Sequence, residues 1–161
     1  MVLVIMGVCG SGKSTVGILL AEKLKCTFFD ADDFHPQANV DKMSRGEPLN
    51  DDDRKPWLER LNEVMRENRV KEEHTIVGCS ALKGFYREIL SDGIDDMRFV
   101  YLRGDFELIY ERMSSREGHF MGENMVQSQF DALEEPGDDA IVVDIKHSPE
   151  ELVAQIEAQL G

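Results

Sequence analysis

The stretch GVCGSGKST at residues 7–15, directly behind the apolar run VLVIM, constrains this chain more than any other feature. Gly7-x-x-x-x-Gly12-Lys13-Ser14 is a complete phosphate-binding loop pattern, with a buried-strand signature before it and a helical one after. Glycines 7, 10 and 12 open backbone angles closed to other residues, so successive N–H groups can turn inward toward phosphate oxygens. The N-terminus of the following helix adds partial positive charge. Lys13 can reach the β- and γ-phosphates, and the Ser14 hydroxyl can ligate Mg²⁺. Gly7, Val8, Cys9, Gly10, Ser11, Gly12, Lys13, Ser14 and Thr15 are thus the expected nucleotide-binding residues, with Thr15 serving the first helical turn rather than the metal. A helix N-terminus favours thiolate at Cys9, but a small inert filler is the simpler role.

Apolar periodicity divides the rest of the chain. Strand patterns fall at Val2–Met6, Thr27–Phe29, Thr75–Val77, Phe99–Leu102 and Ala140–Asp144. Helical spacing runs over Ser14–Lys25, weakly over Asn39–Ser44, from Asn50 through Met65, and over Leu82–Leu90. It returns around Phe106–Met113, Met125–Leu133 and Leu152–Leu160. Asn50 with Asp51–Asp53 offers a cap and first-turn acids, and Pro56 is tolerable only near a helix start. The fold class expected is α/β: a five-stranded parallel sheet covered by helices on both faces, in one domain over 1–161.

Net charge narrows the partners. With 18 basic against 32 acidic residues, the chain carries −14, which argues against a nucleic-acid or anionic-membrane surface. No apolar run approaches the roughly 20 residues that span a bilayer, and no targeting segment is expected. Cys9, Cys26 and Cys79 have neither disulfide-framework nor zinc-ligand spacing, which fits a reducing, cytoplasmic setting.

Asp30 and Asp32 stand two apart at the end of the second strand, on the sheet edge where α/β folds bind ligands. In extended backbone they share a side, so one carboxylate can hold the Mg²⁺ water shell while the other takes a proton from an attacking hydroxyl. Asp33 is the solvent-facing member of the trio. The chain is short for a motor and lacks an Asn-Lys-x-Asp element for guanine. A small phosphotransferase fits best; a regulatory module that only binds ATP is the reading from another class. Trp57 sits at an apolar helix position and reads as core, and His74 and His147 read as surface residues.

GVCGSGKST, DADDFHPQANVDKMSRGEPLNDDDRKPWL, CSALKGFYR and YLRGDFELIYERMSSREGHFM together resemble the gluconokinase family of the shikimate-kinase-like group, from Met6 to VVDI at 142–145. The first block is common to many kinases; the second and CSALK carry the specificity, since a shikimate kinase would usually be glycine-rich at CSALK. The resemblance implies a P-loop NTPase fold with a lid, ATP-dependent phosphorylation of D-gluconate at its 6-hydroxyl, Mg²⁺ as cofactor, and a homodimer. It makes Asp32 the base and Asp30, with Ser14, the metal-side residue. Gluconate is a polyol carboxylate needing cations and hydrogen-bonding groups. His35, Asn39, Lys42, Arg54, Ser80, Lys83 and Arg87 would supply them, largely from an acceptor region over about 35–70. The segment at about 114–124 resembles the lid. Arg112 and Arg116, one helical turn apart, would divide two roles there, one stacking on adenine while the other neutralises the moving phosphoryl charge. His119 would approach the acceptor on closure, and Gln129 would face it.

Overall fold

Strand β1, Val2–Met6, is apolar at all five positions because both of its faces are covered, and every one of those side chains is fully buried. The structure, a computed structural model, describes residues 1–114 and 123–160. After β1 come α1 (Lys13–Leu24), β2 (Thr27–Asp30), a 3₁₀ turn (Ala31–Phe34), α2 (Gln37–Ser44) and α3 (Asp51–Lys71). There follow β3 (Thr75–Gly78), α4 (Gly84–Ser91), β4 (Met97–Arg103), α5 (Phe106–Ser114), α6 (Glu123–Ala132), β5 (Ile141–Asp144) and α7 (Pro149–Leu160). The five strands form one parallel sheet in the order β2-β3-β1-β4-β5. The chain leaves β1 first toward one edge and later toward the other, so the order reverses at β1, the place where such sheets open a ligand crevice.

Alternation along β1 divides the core. Leu3 and Ile5 pack with Val16 and Leu20 of α1, Ile109 of α5, Val126 of α6 and Ile156 of α7. Val2, Val4 and Met6 face the other layer, with Trp57, Leu58 and Leu61 of α3 and Leu90 of α4. The expected α/β architecture is therefore the observed one. Three expectations need correction in detail. Asp30 closes β2, and the chain then turns into a 3₁₀ helix rather than staying extended, because the Asp30 carboxylate accepts from the Asp32 amide at 2.9 Å. Helix α3 continues to Lys71, beyond the Met65 at which its apolar face ends. Strand β4 begins two residues earlier than its apolar run, at Met97.

The start of α3 follows its local chemistry. Asn50 Oδ1 accepts from the Asp53 amide at 2.8 Å while Asp53 Oδ2 accepts from the Asn50 amide at 2.9 Å, a reciprocal capping box.

Helix α1 lies close on the sheet because the Phe28 ring fits between two glycines. A Cβ on Gly17 would overlap that ring, and one on Gly78 would stand 3.0 Å from it. Since α1 begins inside the phosphate-binding loop, this contact sets the height of the loop above the sheet. Alanine favours a helix by about 1 kcal/mol over glycine, but overpacking costs about 1–3 kcal/mol. Gly17→Ala is therefore expected to destabilise the protein by up to about 2 kcal/mol net, read as a lower urea midpoint at unchanged slope; a higher midpoint would refute the packing account.

Candidate active site

The loop between β1 and α1 takes left-handed backbone at Gly10 (φ 77°) and Gly12 (φ 97°), as the glycine pattern requires. Gly10 is doubly constrained, since a Cβ there would also meet the Met113 thioether. Lys13 Nζ donates to the carbonyls of Gly7 and Val8, both at 3.0 Å, folding the first residue of α1 back over its own loop. Gln129 of α6 accepts from the Cys9 amide at 3.2 Å, and the Gly7 amide donates to Ser80 O at 3.3 Å. The loop is thus held from α1, α6 and the segment after β3.

Beside it opens a cleft of about 630 Å³ over the C-terminal ends of β1, β2 and β3. Lys13, Ser14, Thr15, Asp30, Asp32, Ser80 and Arg112 all line it, along with Cys9 and Trp57. Asp30 and Asp32, although on different elements, still share this cleft: the strand-end carboxylate caps the 3₁₀ turn that carries the second one. Asp33 is exposed, as expected.

Charge in the cleft is shaped by its concavity. The Asp32 side chain is reached by water, with 84% of its surface accessible, at the wall of the cleft. Desolvation by the surrounding cleft, followed by the Asp30 carboxylate, raises the Asp32 carboxyl above the ordinary aspartate range. Burial lowers Lys13, against the opposing pull of its neighbours, among them Asp32 and Asp30. Burial also pushes the Cys79 thiol up to about 12 and raises Cys9, so both stay in thiol form, consistent with Cys9 as a filler.

The remaining candidates divide by what their polar groups already hold. Arg54 Nη1 donates to Tyr86 Oη at 3.3 Å and its guanidinium lies 5.8 Å from the Tyr86 ring centre; Lys83 approaches the same ring at 5.7 Å. Tyr86 Oη donates to Asp51 at 2.6 Å, and Lys83 reaches the same carboxylate at 3.4 Å. The Tyr86 hydroxyl lowers Asp51, while burial and Asp51 push Tyr86 up to about 12. Lys42 pairs with Asp53 at 2.6 Å, and that bond holds Asp53 below the usual carboxylate range. Asn39 is buried and donates to Asp53 O at 2.9 Å. Arg87 donates to Ala81 O at 2.7 Å and Glu134 O at 2.8 Å. Arg112 donates to Ile145 O at 2.7 Å while lining the cleft. Arg116, His119 and most of the 114–124 stretch lie outside the described residues.

Two contributors escaped the sequence pattern. Trp57 is core, with 7% of its surface exposed, but its indole N–H donates to Ala31 O at 2.7 Å and its ring stacks on His35 at 4.2 Å. Glu134 accepts from the Gly84 amide at 2.7 Å and its own amide donates to Leu82 O at 2.7 Å. Together with Arg87 it clamps the CSALK loop, where Ala81 takes a left-handed φ of 46°. Strained backbone of this kind persists when its surroundings over-determine it.

The donor set suits a magnesium ion shared with phosphates. Among the described residues no group of three His, Cys, Asp or Glu side chains is placed to cage a metal. Mg²⁺ at phosphate sites takes only one or two protein oxygens beside phosphate and water, and Ser14 and Asp30 offer that pair in one cleft. Among the described residues no helix is long and apolar enough to cross a membrane.

Known proteins match this architecture closely. The shikimate kinase family model matches residues 9–160. The thermoresistant gluconokinase of Escherichia coli (strain K12) is 47% identical over 158 residues, covering 94% of this chain and 88% of its own. A probable gluconokinase of Xenopus tropicalis is 41% identical over 177 residues, covering 99% of this chain and 93% of its own. The crystal structure of a gluconokinase from Sinorhizobium meliloti 1021 superposes with a TM-score of 0.85 at 40% identity, over 98% of this chain and 90% of that one. A phosphate loop facing paired aspartates across one cleft, in a chain this similar to those proteins over nearly its whole length, belongs to the gluconokinase family of shikimate-kinase-like enzymes.

Proposed function

We propose that this protein transfers the γ-phosphoryl group of ATP to the 6-hydroxyl of D-gluconate, giving 6-phospho-D-gluconate and ADP. The observation that carries it is the meeting of Lys13 and Ser14 with Asp30 and Asp32 in one cleft. Relatives 41–47% identical named as gluconokinases support the choice of acceptor. The same reading places the chain in the cytoplasm as a homodimer, on family resemblance. It assigns no role to nucleic acid or membrane, in keeping with a charge of −14.

In this reading the loop amides from Gly7 to Thr15 cradle the phosphates and Arg112 borders the nucleotide. Asp32 takes the proton of the 6-hydroxyl as its oxygen bonds to the γ-phosphorus and the bond to the ADP oxygen breaks. Lys13, already desolvated, stabilises charge on the β- and γ-phosphate oxygens more strongly than it would in water. Ser14 and Asp30 would hold Mg²⁺, which when bound neutralises phosphate charge and orients the chain of oxygens. His35, Arg54, Ser80 and Lys83 face the polyol acid. Asn39, Lys42, Arg87 and Gln129 act from behind, through the segments they tie down. Arg116 and His119 are assigned to closure over the phosphates and acceptor, excluding water.

ADP release from MgATP tests this directly, with D-gluconate, shikimate, other sugar acids and a blank in parallel. Turnover with gluconate well above the others is expected; turnover with none would leave an ATP-binding module. Asp32→Asn is expected to lower kcat by roughly 10²- to 10⁴-fold with ATP binding within about twofold, because only the proton acceptor goes. Near-normal turnover in that variant would remove Asp32 as the base.

A pH profile examines the carboxylate pair. Asp32 works as the anion, so activity is present above its raised pKa and is lost as pH falls through it. Asp30→Asn keeps an amide oxygen to cap the 3₁₀ turn but deletes the neighbouring negative charge. The acidic limb of the kcat profile is then expected to move to lower pH, whatever the absolute rate. A limb that stays or moves upward counts against the coupling.

A further inference from the structure

His35 stands where its ring orientation and its proton are both decided by neighbours. Its ring stacks on Trp57 with centroids 4.2 Å apart and planes 15° from parallel, and Trp57 is itself pinned by its N–H bond to Ala31 O. On one edge, His35 Nδ1 lies 3.2 Å from Asn39 Nδ2. On the other, Nε2 faces Asp32 Oδ1 at 3.9 Å.

The orientation of the Asn39 amide follows from its second contact. Asn39 Nδ2 donates to the backbone carbonyl of Asp53 at 2.9 Å. A carbonyl oxygen only accepts, so the atom facing it is the amide nitrogen; the reversed amide would set two oxygens against each other. That nitrogen carries two hydrogens and no usable lone pair. One hydrogen points to Asp53 O, and the other is left for His35 Nδ1. A ring nitrogen that receives a hydrogen bond from an amide carries no proton. The imidazole proton is therefore on Nε2, the edge that faces Asp32.

We propose that Asn39 is a positioning residue that holds His35 as the tautomer protonated at Nε2 alone, so that one N–H donor points toward Asp32 and the acceptor hydroxyl beside it. The chain of causes runs from a main-chain carbonyl, through an amide, to the side of a ring. Asp53 is itself immobilised by the capping box at the start of α3 and by Lys42. The charged groups acting on the ring are Asp32, which favours its protonated form, and Arg54, which opposes it; burial is the largest influence and also opposes it. The functional part of this inference rests on the kinase reading. A neutral imidazole can donate to the hydroxyl or to Asp32 without adding a full positive charge that would weaken Asp32 as a proton acceptor.

The test reads the two ring nitrogens in the intact ¹⁵N-labelled protein by long-range ¹H–¹⁵N correlation at neutral pH. Loss of signals in His35→Gln identifies His35 among the four histidines. A pyridine-type Nδ1 with a pyrrole-type Nε2 is expected; a pyrrole-type Nδ1, or two nitrogens averaged by exchange, overturns the proposal. Asn39→Ala is expected to mix the tautomers and lower kcat roughly tenfold, with KM for ATP little changed. In the His35→Gln background, where the glutamine amide has no tautomers, the same change should lower kcat less than about twofold. A full tenfold loss in that background overturns the proposal, because Asn39 then acts without His35. The wild-type nitrogen spectrum stands even where a variant fails to fold. It also needs no substrate: the expected tautomer without gluconate turnover sinks the kinase reading alone, and turnover with the reversed tautomer sinks this inference alone.

Discussion

Lys13 donates to the carbonyl oxygens of Gly7 and Val8, and these two charge-assisted bonds join the first turn of α1 to the end of β1. Everything in the cleft is placed relative to that junction. The central strand is buried on both faces, so its C-terminal end is a fixed point. The height of the helix over the sheet is set by Phe28, whose ring fills the space that Gly17 and Gly78 leave. Between those two constraints the loop has one compact path, with left-handed backbone at its glycines. An ammonium held in such a place has little water around it, so its field on nearby anions is less screened.

The acceptor side is organised by carboxylates at the start of a helix. Asp51 and Asp53 fall in the first turn of α3, where the helix dipole already favours negative charge. Each then does a second job. Asp53 closes the capping box and receives Lys42 from α2; Asp51 receives Tyr86 and Lys83 from the α4 side. Three helices are thereby tied at one corner by groups whose charge the helix terminus supports. The Tyr86 ring holds the cations Arg54 and Lys83 within 5.8 and 5.7 Å of its centre, so one aromatic side chain groups both of them at this corner.

How much of this was legible in the sequence depended on the kind of partner each residue has. Strand β1 was legible because five consecutive apolar residues leave few alternatives, and the loop because glycine, lysine and serine at fixed offsets each answer a separate requirement. The pairing of Asp30 with Asp32 was legible for a mistaken reason: alternation placed them together, whereas a side-chain cap on a 3₁₀ turn does so. Asn39, Arg87 and Gln129 are expected to face substrate, and each also holds main chain in place: the first two donate to main-chain carbonyls and the third accepts from a main-chain amide. Every residue carries those backbone groups, so no sequence pattern marks which one is the partner. Trp57 shows a different limit. Helical spacing assigned its face to the core correctly, but spacing has no information about which edge of a large ring meets the cleft.

A protein of charge −14 that binds a nucleotide and a sugar acid holds anions against its own field. At physiological ionic strength that field is screened within about 8 Å, so the acids spread over the surface act weakly on a ligand inside the cleft. Groups lining the cleft are screened far less, and there the balance is different: Lys13 and Arg112 border it, together with loop amides that carry partial positive charge without any formal one. Among the described residues the acids lining the cleft are Asp30 and Asp32, the pair that the proposed reaction would use, one toward the metal and one toward the hydroxyl. Desolvation in the cleft first, and then the Asp30 carboxylate, raise the Asp32 carboxyl above the ordinary aspartate range, toward the pH at which a carboxylate is a stronger proton acceptor. Excess surface acid is therefore compatible with anion binding, because the groups that line the cleft, and not the net charge, set the field that a ligand meets there.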